Sequence, residues 1–118
     1  MSTEMQFGAS VGSSNMCGVT LMNNQNGYVV AEVMARHPDV TITEFPSMIR
    51  IDARGSVEFN FDELGEALGY GEGEFTQANF EEVMSTHYGR MINLDDRTLF
   101  FANPEDAADY LGFDLQPV

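Results

Sequence analysis

Between Val40 and Phe61 the chain alternates apolar and polar residues in three short runs, with only turn residues between them. Val40 and Ile42 alternate with Thr41 and Thr43. Ile49 and Ile51 alternate with Met48, Arg50 and Asp52. Val57, Phe59 and Phe61 mark one face of a third run. A period of two is the signature of a half-buried strand. Pro46 lies between the first two runs, because proline has no N–H for a ladder. Arg54-Gly55-Ser56 separates the second from the third. Connections this short imply antiparallel pairing, since parallel neighbours need a long crossover.

The flanks supply further elements. Cys17 to Met22 reads as a first strand and Asn24 to His37 as a helix, with Val29, Val30, Val33 and Met34 at helical spacing and Pro38 as its stop. Asp62 is the expected cap of a short helix through Leu68, with Gly69 ending it. Thr76 is the expected cap of a second helix through Met84, where Phe75 and Phe80 stand at the spacing of a hydrophobic staple. Tyr88 to Leu94 and Leu99 to Ala102 read as a hairpin with Asp95-Asp96-Arg97 in its turn. Asn103 and Pro104 open a last helix that Gly112 ends. The predicted order is β-α-β-β-β-α-α-β-β-α, a single small α+β domain of mainly antiparallel strands over residues 16–118. Residues 1–15, rich in Gly, Ser and Asn, are expected to form a flexible N-terminal tail.

A chain of 118 residues with 43% hydrophobic content is long enough for one modest core. Nineteen acidic residues against five arginines give a net charge of -14. Nucleic acid and anionic membrane surfaces require clustered positive charge, so both are excluded as partners. The same charge favours solubility and fast encounter with a basic surface. No apolar stretch approaches the ~20 residues of a membrane span. Cys17, the single cysteine, and an N-terminus without signal-peptide character fit a cytoplasmic protein.

The sequence holds no set of residues that would carry catalysis. His37 precedes Pro38 and reads as a helix-end cation. His87 lies 50 positions on, and no third ligand stands near either at zinc spacing. Ser85, His87 and Asp95 have no triad geometry to recommend them. Gly69-Tyr70-Gly71-Glu72-Gly73 follows a helix, whereas a dinucleotide loop follows a strand, and its glutamates would repel a pyrophosphate. Asp95-Asp96 lacks the alternating ligands of a calcium loop. No catalytic residue, metal ligand or cofactor is expected, and a globular chain of this kind works by contact. Of the eight methionines, Met34 and Met84 are expected to fill the core.

Two segments carry a family resemblance. Phe45-Pro46-Ser47-Met48-Ile49-Arg50-Ile51-Asp52 joins two strands through a proline. Met84-Ser85-Thr86-His87-Tyr88-Gly89-Arg90-Met91 joins a helix to a strand ahead of the Asp95-Asp96 turn. In this order, in an acidic chain of this length, they resemble the coupling (effector) proteins of bacterial soluble diiron multicomponent monooxygenases. These serve enzymes acting on methane, phenol, toluene, alkenes and propane. Cys17-Gly18-Val19-Thr20-Leu21-Met22-Asn23 and Phe101-Ala102-Asn103-Pro104-Glu105-Asp106-Ala107-Ala108 are most similar to the propane monooxygenase branch.

The resemblance implies a cofactor-free regulatory component. Such proteins bind the large subunit of the diiron hydroxylase above its buried metal centre. They tune its geometry, substrate access and the coupling of NADH oxidation to hydroxylation. They also interplay with the NADH-dependent flavin/iron-sulfur reductase. The family's small polar run before a Gly-Arg pair faces the hydroxylase, and here Val83, Ser85, Thr86 and His87 occupy it. With Arg90 and the hairpin residues Phe45, Pro46, Ser47, Met48 and Arg50, these are the expected partner-binding residues. His87 is bulkier than the small residue usual in the methane enzyme's component. The alternative from another class is a small ligand-sensing or adaptor α+β domain, which should show a polar pocket.

Overall fold

The computed structural model describes residues 15–108. Strand β1 (Met16–Met22) leads into helix α1 (Gln25–Met34), followed by β2 (Val40–Glu44), β3 (Met48–Arg54) and β4 (Ser56–Asn60). Helices α2 (Phe61–Leu68) and α3 (Gln77–Val83) come next, then β5 (Met84–Tyr88), β6 (Arg90–Asn93), β7 (Arg97–Phe101) and a 3-10 turn at Pro104–Ala107. The strands form a four-stranded sheet in the order β2-β3-β1-β5 and a three-stranded sheet in the order β4-β7-β6. Every pairing is antiparallel, so the α+β expectation is met.

Burial follows the period-two alternation. In β1, Cys17, Val19 and Leu21 point inward; in β3, Ile49, Ile51 and Ala53 do so. The core side chains of both sheets meet those of α1, α2 and α3 in one cluster. A line of rings crosses this core. Tyr70 packs edge-on to Phe75 with centroids 5.2 Å apart, Phe75 meets Phe61 at 5.8 Å, and Phe61 meets Phe80 at 6.2 Å. Phe80 lies 4.9 Å from Phe59, which meets Phe100 edge-on at 5.7 Å. Such tilted and edge-on pairs are the arrangements aromatic quadrupoles favour.

Several boundaries differ from expectation. Helix α1 stops at Met34, not His37. Asn24 caps it, its side chain accepting a hydrogen bond from the Gly27 N–H at 2.8 Å. At the other end Arg36 and His37 donate to Val33 and Met34 in a tightening turn, as suits residues approaching a proline. His37 therefore lies beyond the helix, where its Nε2 stands 3.2 Å from Glu63 of α2. Helix α2 begins at Phe61, which is not a strand residue. Asn60, rather than Asp62, is its cap, accepting from the Glu63 N–H at 3.0 Å. Asp62 sits in the first turn, where a carboxylate suits the helix dipole.

The largest difference lies in the strands. The Arg54-Gly55-Ser56 step does not reverse the chain into a hairpin. Gly55, at φ 80°, turns it from β3 in the larger sheet to β4 in the smaller. The expected strand from Tyr88 to Leu94 is likewise two strands, β5 in the larger sheet and β6 in the smaller, bent at Gly89 (φ 98°). Helix α3 ends at Val83, and Met84 already begins β5. A single-residue gap cannot bring a strand back beside itself, but a positive-φ glycine can turn it a corner. The expected tail lies outside the described residues except for Asn15, whose carbonyl accepts the Gly55 N–H at 2.7 Å. Of the expected last helix only the opening 3-10 turn is described, and residues 109–112 lie outside the described residues.

Candidate functional site

The two predicted segments come together on the larger sheet. Strand β5 is one of its two edges, paired among the described residues with β1 alone, and β3 lies on the other side of β1. Register places the side chains in cross-strand rows on the outer face. Thr41, Asp52, Gly18 and Tyr88 form one row; Thr43, Arg50, Thr20 and Thr86 form the next. Met48 and Met22 begin a third, and both are exposed. Phe45, also exposed, lies at the end of this face in the β2–β3 turn, where its N–H donates to the Met48 carbonyl at 2.8 Å. Pro46 and Ser47 fill the turn, and both are exposed. Asn23 fastens the turn to β1 by donating from Nδ2 to the Phe45 carbonyl at 2.7 Å.

Asp52 is the only carboxylate in the first two rows, whereas α2, α3 and the connector between them carry Asp62, Glu63, Glu66, Glu72, Glu74, Glu81 and Glu82 with no basic residue. The charge of the chain is thus concentrated on the helices. The outer sheet face offers threonine hydroxyls, methionine thioethers and aromatic rings, a mixture suited to close protein contact.

Within β5 the residues take different directions. Thr86 and Tyr88 face outward, while His87 pairs with inward-facing Val19. The His87 ring stands 5.2 Å from the ring of Phe100, so it closes the aromatic line at the sheet edge instead of projecting away from the domain. Register shifts between Thr20 and Leu21, which leaves Ser85 as the extra residue of a β-bulge. Bulges re-aim side chains at sheet edges. Val83 is only 5% exposed and belongs to the core. Arg90 is exposed on β6, in the other sheet, with no carboxylate at salt-bridge distance among the described residues. It does not share the face that Arg50 and Thr86 form.

Tyr88 is the residue the sequence reading missed. Its hydroxyl donates to Asp52 Oδ1 at 2.5 Å, reaching over the bare Gly18. A Cβ at Gly18 would collide with the Ile51 carbonyl. Arg50 donates to the same Oδ1 at 3.1 Å. Burial, followed by the hydrogen bond to Asp52, pushes the Tyr88 phenol up to about 12, and Arg50's own hydrogen bond to Asp52 is the main reason its pKa is raised. Arg50 is therefore engaged within its own sheet. The signal was present as two residues with alternating side chains, Asp52 and Tyr88, but pairing both with Gly18 required the register.

Among the described residues, no group of three or more His, Cys, Asp or Glu side chains could hold a metal ion. Cys17 is buried, its thiol donating to the Phe100 carbonyl at 3.4 Å, and burial pushes its pKa up to about 11, which leaves it unreactive. A cavity of about 340 Å³ beside α2 is lined by Phe61, Asp62, Gly65, Glu66, Tyr70, Gly71 and Glu72. Its charged lining is wholly acidic.

A model of the MmoB/DmpM family matches residues 15–102. The effector component of propane 2-monooxygenase from Rhodococcus jostii (strain RHA1) is 59% identical over 111 residues, covering 94% of this chain and 96% of that protein. The effector component of propane 2-monooxygenase from Mycolicibacterium smegmatis is 58% identical over 113 residues, covering 96% of both. Two solved structures share the fold. A chain in a phenol hydroxylase–regulatory protein complex has a TM-score of 0.65 at 22% identity, over 75% of this chain and 99% of that one. The soluble methane monooxygenase regulatory protein B has a TM-score of 0.63 at 20% identity, over 84% of this chain and 73% of that one. The chain belongs to the MmoB/DmpM family.

Proposed function

We propose that this chain is the non-catalytic effector component of a bacterial multicomponent monooxygenase that oxidises propane or a related small hydrocarbon. The carrying observation is its 59% identity, nearly end to end, with a propane 2-monooxygenase effector component. It acts by docking on the large subunit of the diiron hydroxylase, in functional interplay with the reductase, in the cytoplasm. The docking surface is the outer face of the larger sheet with its β5 edge: Ser85, Thr86 and His87, with Phe45, Pro46, Ser47, Met48 and Arg50. Arg90 reaches the partner from the neighbouring sheet. The low charge and exposed Met22, Met48 and Phe45 of that face support this reading. An effector shifts its partner only by binding one hydroxylase state more tightly than another.

Reconstitution tests the proposal. Purified hydroxylase and reductase are supplied with propane and NADH, with and without this chain. Addition of the chain should raise product formed per NADH consumed. Equal yields with and without it would refute the function.

A further inference from the structure

Strand β5 exposes four of its five residues. It lies at a sheet edge, follows α3 with no intervening residue, and carries a bulge at Ser85. Ser85, Thr86, His87 and Tyr88 are all exposed. Beyond its ladder to β1, Met84 packs on the core before the bulge, and after the bulge two consecutive side chains fix the strand from opposite faces. His87 lies against Phe100 on the inner side, and Tyr88 reaches Asp52 on the outer side. The Tyr88–Asp52 bond spans the whole width of β1. It therefore ties β5 directly to β3, the strand that carries Met48 and Arg50. Gly18 lies between Tyr88 and Asp52 in the row and brings no side chain to it, since a Cβ there would run into the β3 backbone at Ile51.

Resting on the effector reading above, we propose that Asp52 and Tyr88 are positioning residues for hydroxylase control. Their hydrogen bond locks the β5 and β3 halves of the docking face into one rigid surface. The bulged Ser85-Thr86 pair is thereby presented at a fixed height. The bond is charge-assisted, and such bonds are shorter and stronger than neutral ones. Arg50 contacts the same carboxylate oxygen and holds it in place. Loss of the bond leaves β5 attached by its ladder, by Met84 and by the His87 ring, but no longer tied across β1 to β3, so the segment after the bulge can shift. The partner can still bind such a surface, yet it no longer selects one hydroxylase state as sharply.

The test uses the full chain with hydroxylase and reductase, comparing wild type, Tyr88→Phe, Asp52→Asn and the double variant. Tyr88→Phe removes one oxygen atom at an exposed site, so it reports even if Asp52→Asn does not fold. Product per NADH at saturating effector should fall about three- to tenfold in each single variant, the effect of one hydrogen bond. The dissociation constant for the hydroxylase should change by less than about threefold, because the other contacts persist. The double variant should be no worse than the weaker single, since both break the same link. Wild-type coupling in Tyr88→Phe would overturn the proposal, as would losses cured by adding more effector or additive losses in the double variant. Failure of the effector reading itself would appear differently, as no stimulation by the wild-type chain.

Discussion

Strands β5 and β7 meet where His87 lies on Phe100, yet they are built for opposite purposes. In β7, Thr98, Leu99, Phe100 and Phe101 are all buried, at the centre of the smaller sheet. In β5, the four residues Ser85 to Tyr88 are all exposed, at the edge of the larger one. Stability resides in the first strand. Beyond its ladder, the second is anchored by Met84, which packs on the core, by His87 on Phe100 and by Tyr88 on Asp52. A fold can thus place an exposed edge strand directly against a buried central one, with the ring of His87 on that of Phe100.

That contrast can be broken at its strong end. Phe100→Ala should destabilise the domain by about 3–5 kcal/mol, the usual cost of emptying a buried aromatic site, and chemical denaturation measures it. The two glycine corners, Gly89 between β5 and β6 and Gly55 between β3 and β4, should also differ. A Cβ on Gly89 would lie 2.7 Å from Cys17 Cβ and 2.8 Å from the Phe101 carbonyl oxygen, whereas one on Gly55 meets nothing within 4 Å. Gly89→Ala should cost about 2–4 kcal/mol and Gly55→Ala about 1 kcal/mol, since only the first adds a clash to the positive-φ penalty. Equal melting temperatures for the two would contradict the corner geometry.

A smaller effect is expected from pH. Burial raises the Cys17 thiol from its ordinary 9.0 to about 11, so the folded protein holds this proton more tightly than the unfolded chain does. Its contribution to stability is complete below pH 9 and is lost as pH rises towards 11. Thermal melting from pH 8 to 11 should show a decline that is shallower in Cys17→Ala than in wild type.

Most elements were legible in the sequence because their signals are local. Alternation in residues 40–53 and 56–60 marks strands, Asn24 and Thr76 stand as caps, and Phe75 and Phe80 are both buried at the staple positions. The β5 strand was not legible, because Met84-Ser85-Thr86-His87-Tyr88 has no buried alternation to announce it. Its apolar support comes from Phe100, 13 positions away. The corners at Gly55 and Gly89 look like ordinary turns in sequence, and only pairing with β7 tells a corner from a hairpin. In the site, the two segments proposed to dock were recognisable, but the Tyr88–Asp52 bond needs two strand registers at once. The outward or inward direction of His87 depends on the bulge at Ser85, which no local signal encodes.

The most direct test of the division of labour replaces Ser85 and Thr86 together by alanine and keeps His87, whose ring packs on Phe100. Melting should change little, by less than about 1 kcal/mol, as is usual for exposed positions. Reconstituted turnover, measured on substrates of small and large size, should nevertheless change in rate, in coupling to NADH or in product distribution. A variant that melts normally and gives wild-type rates and products would place the working surface elsewhere on the domain and contradict the account.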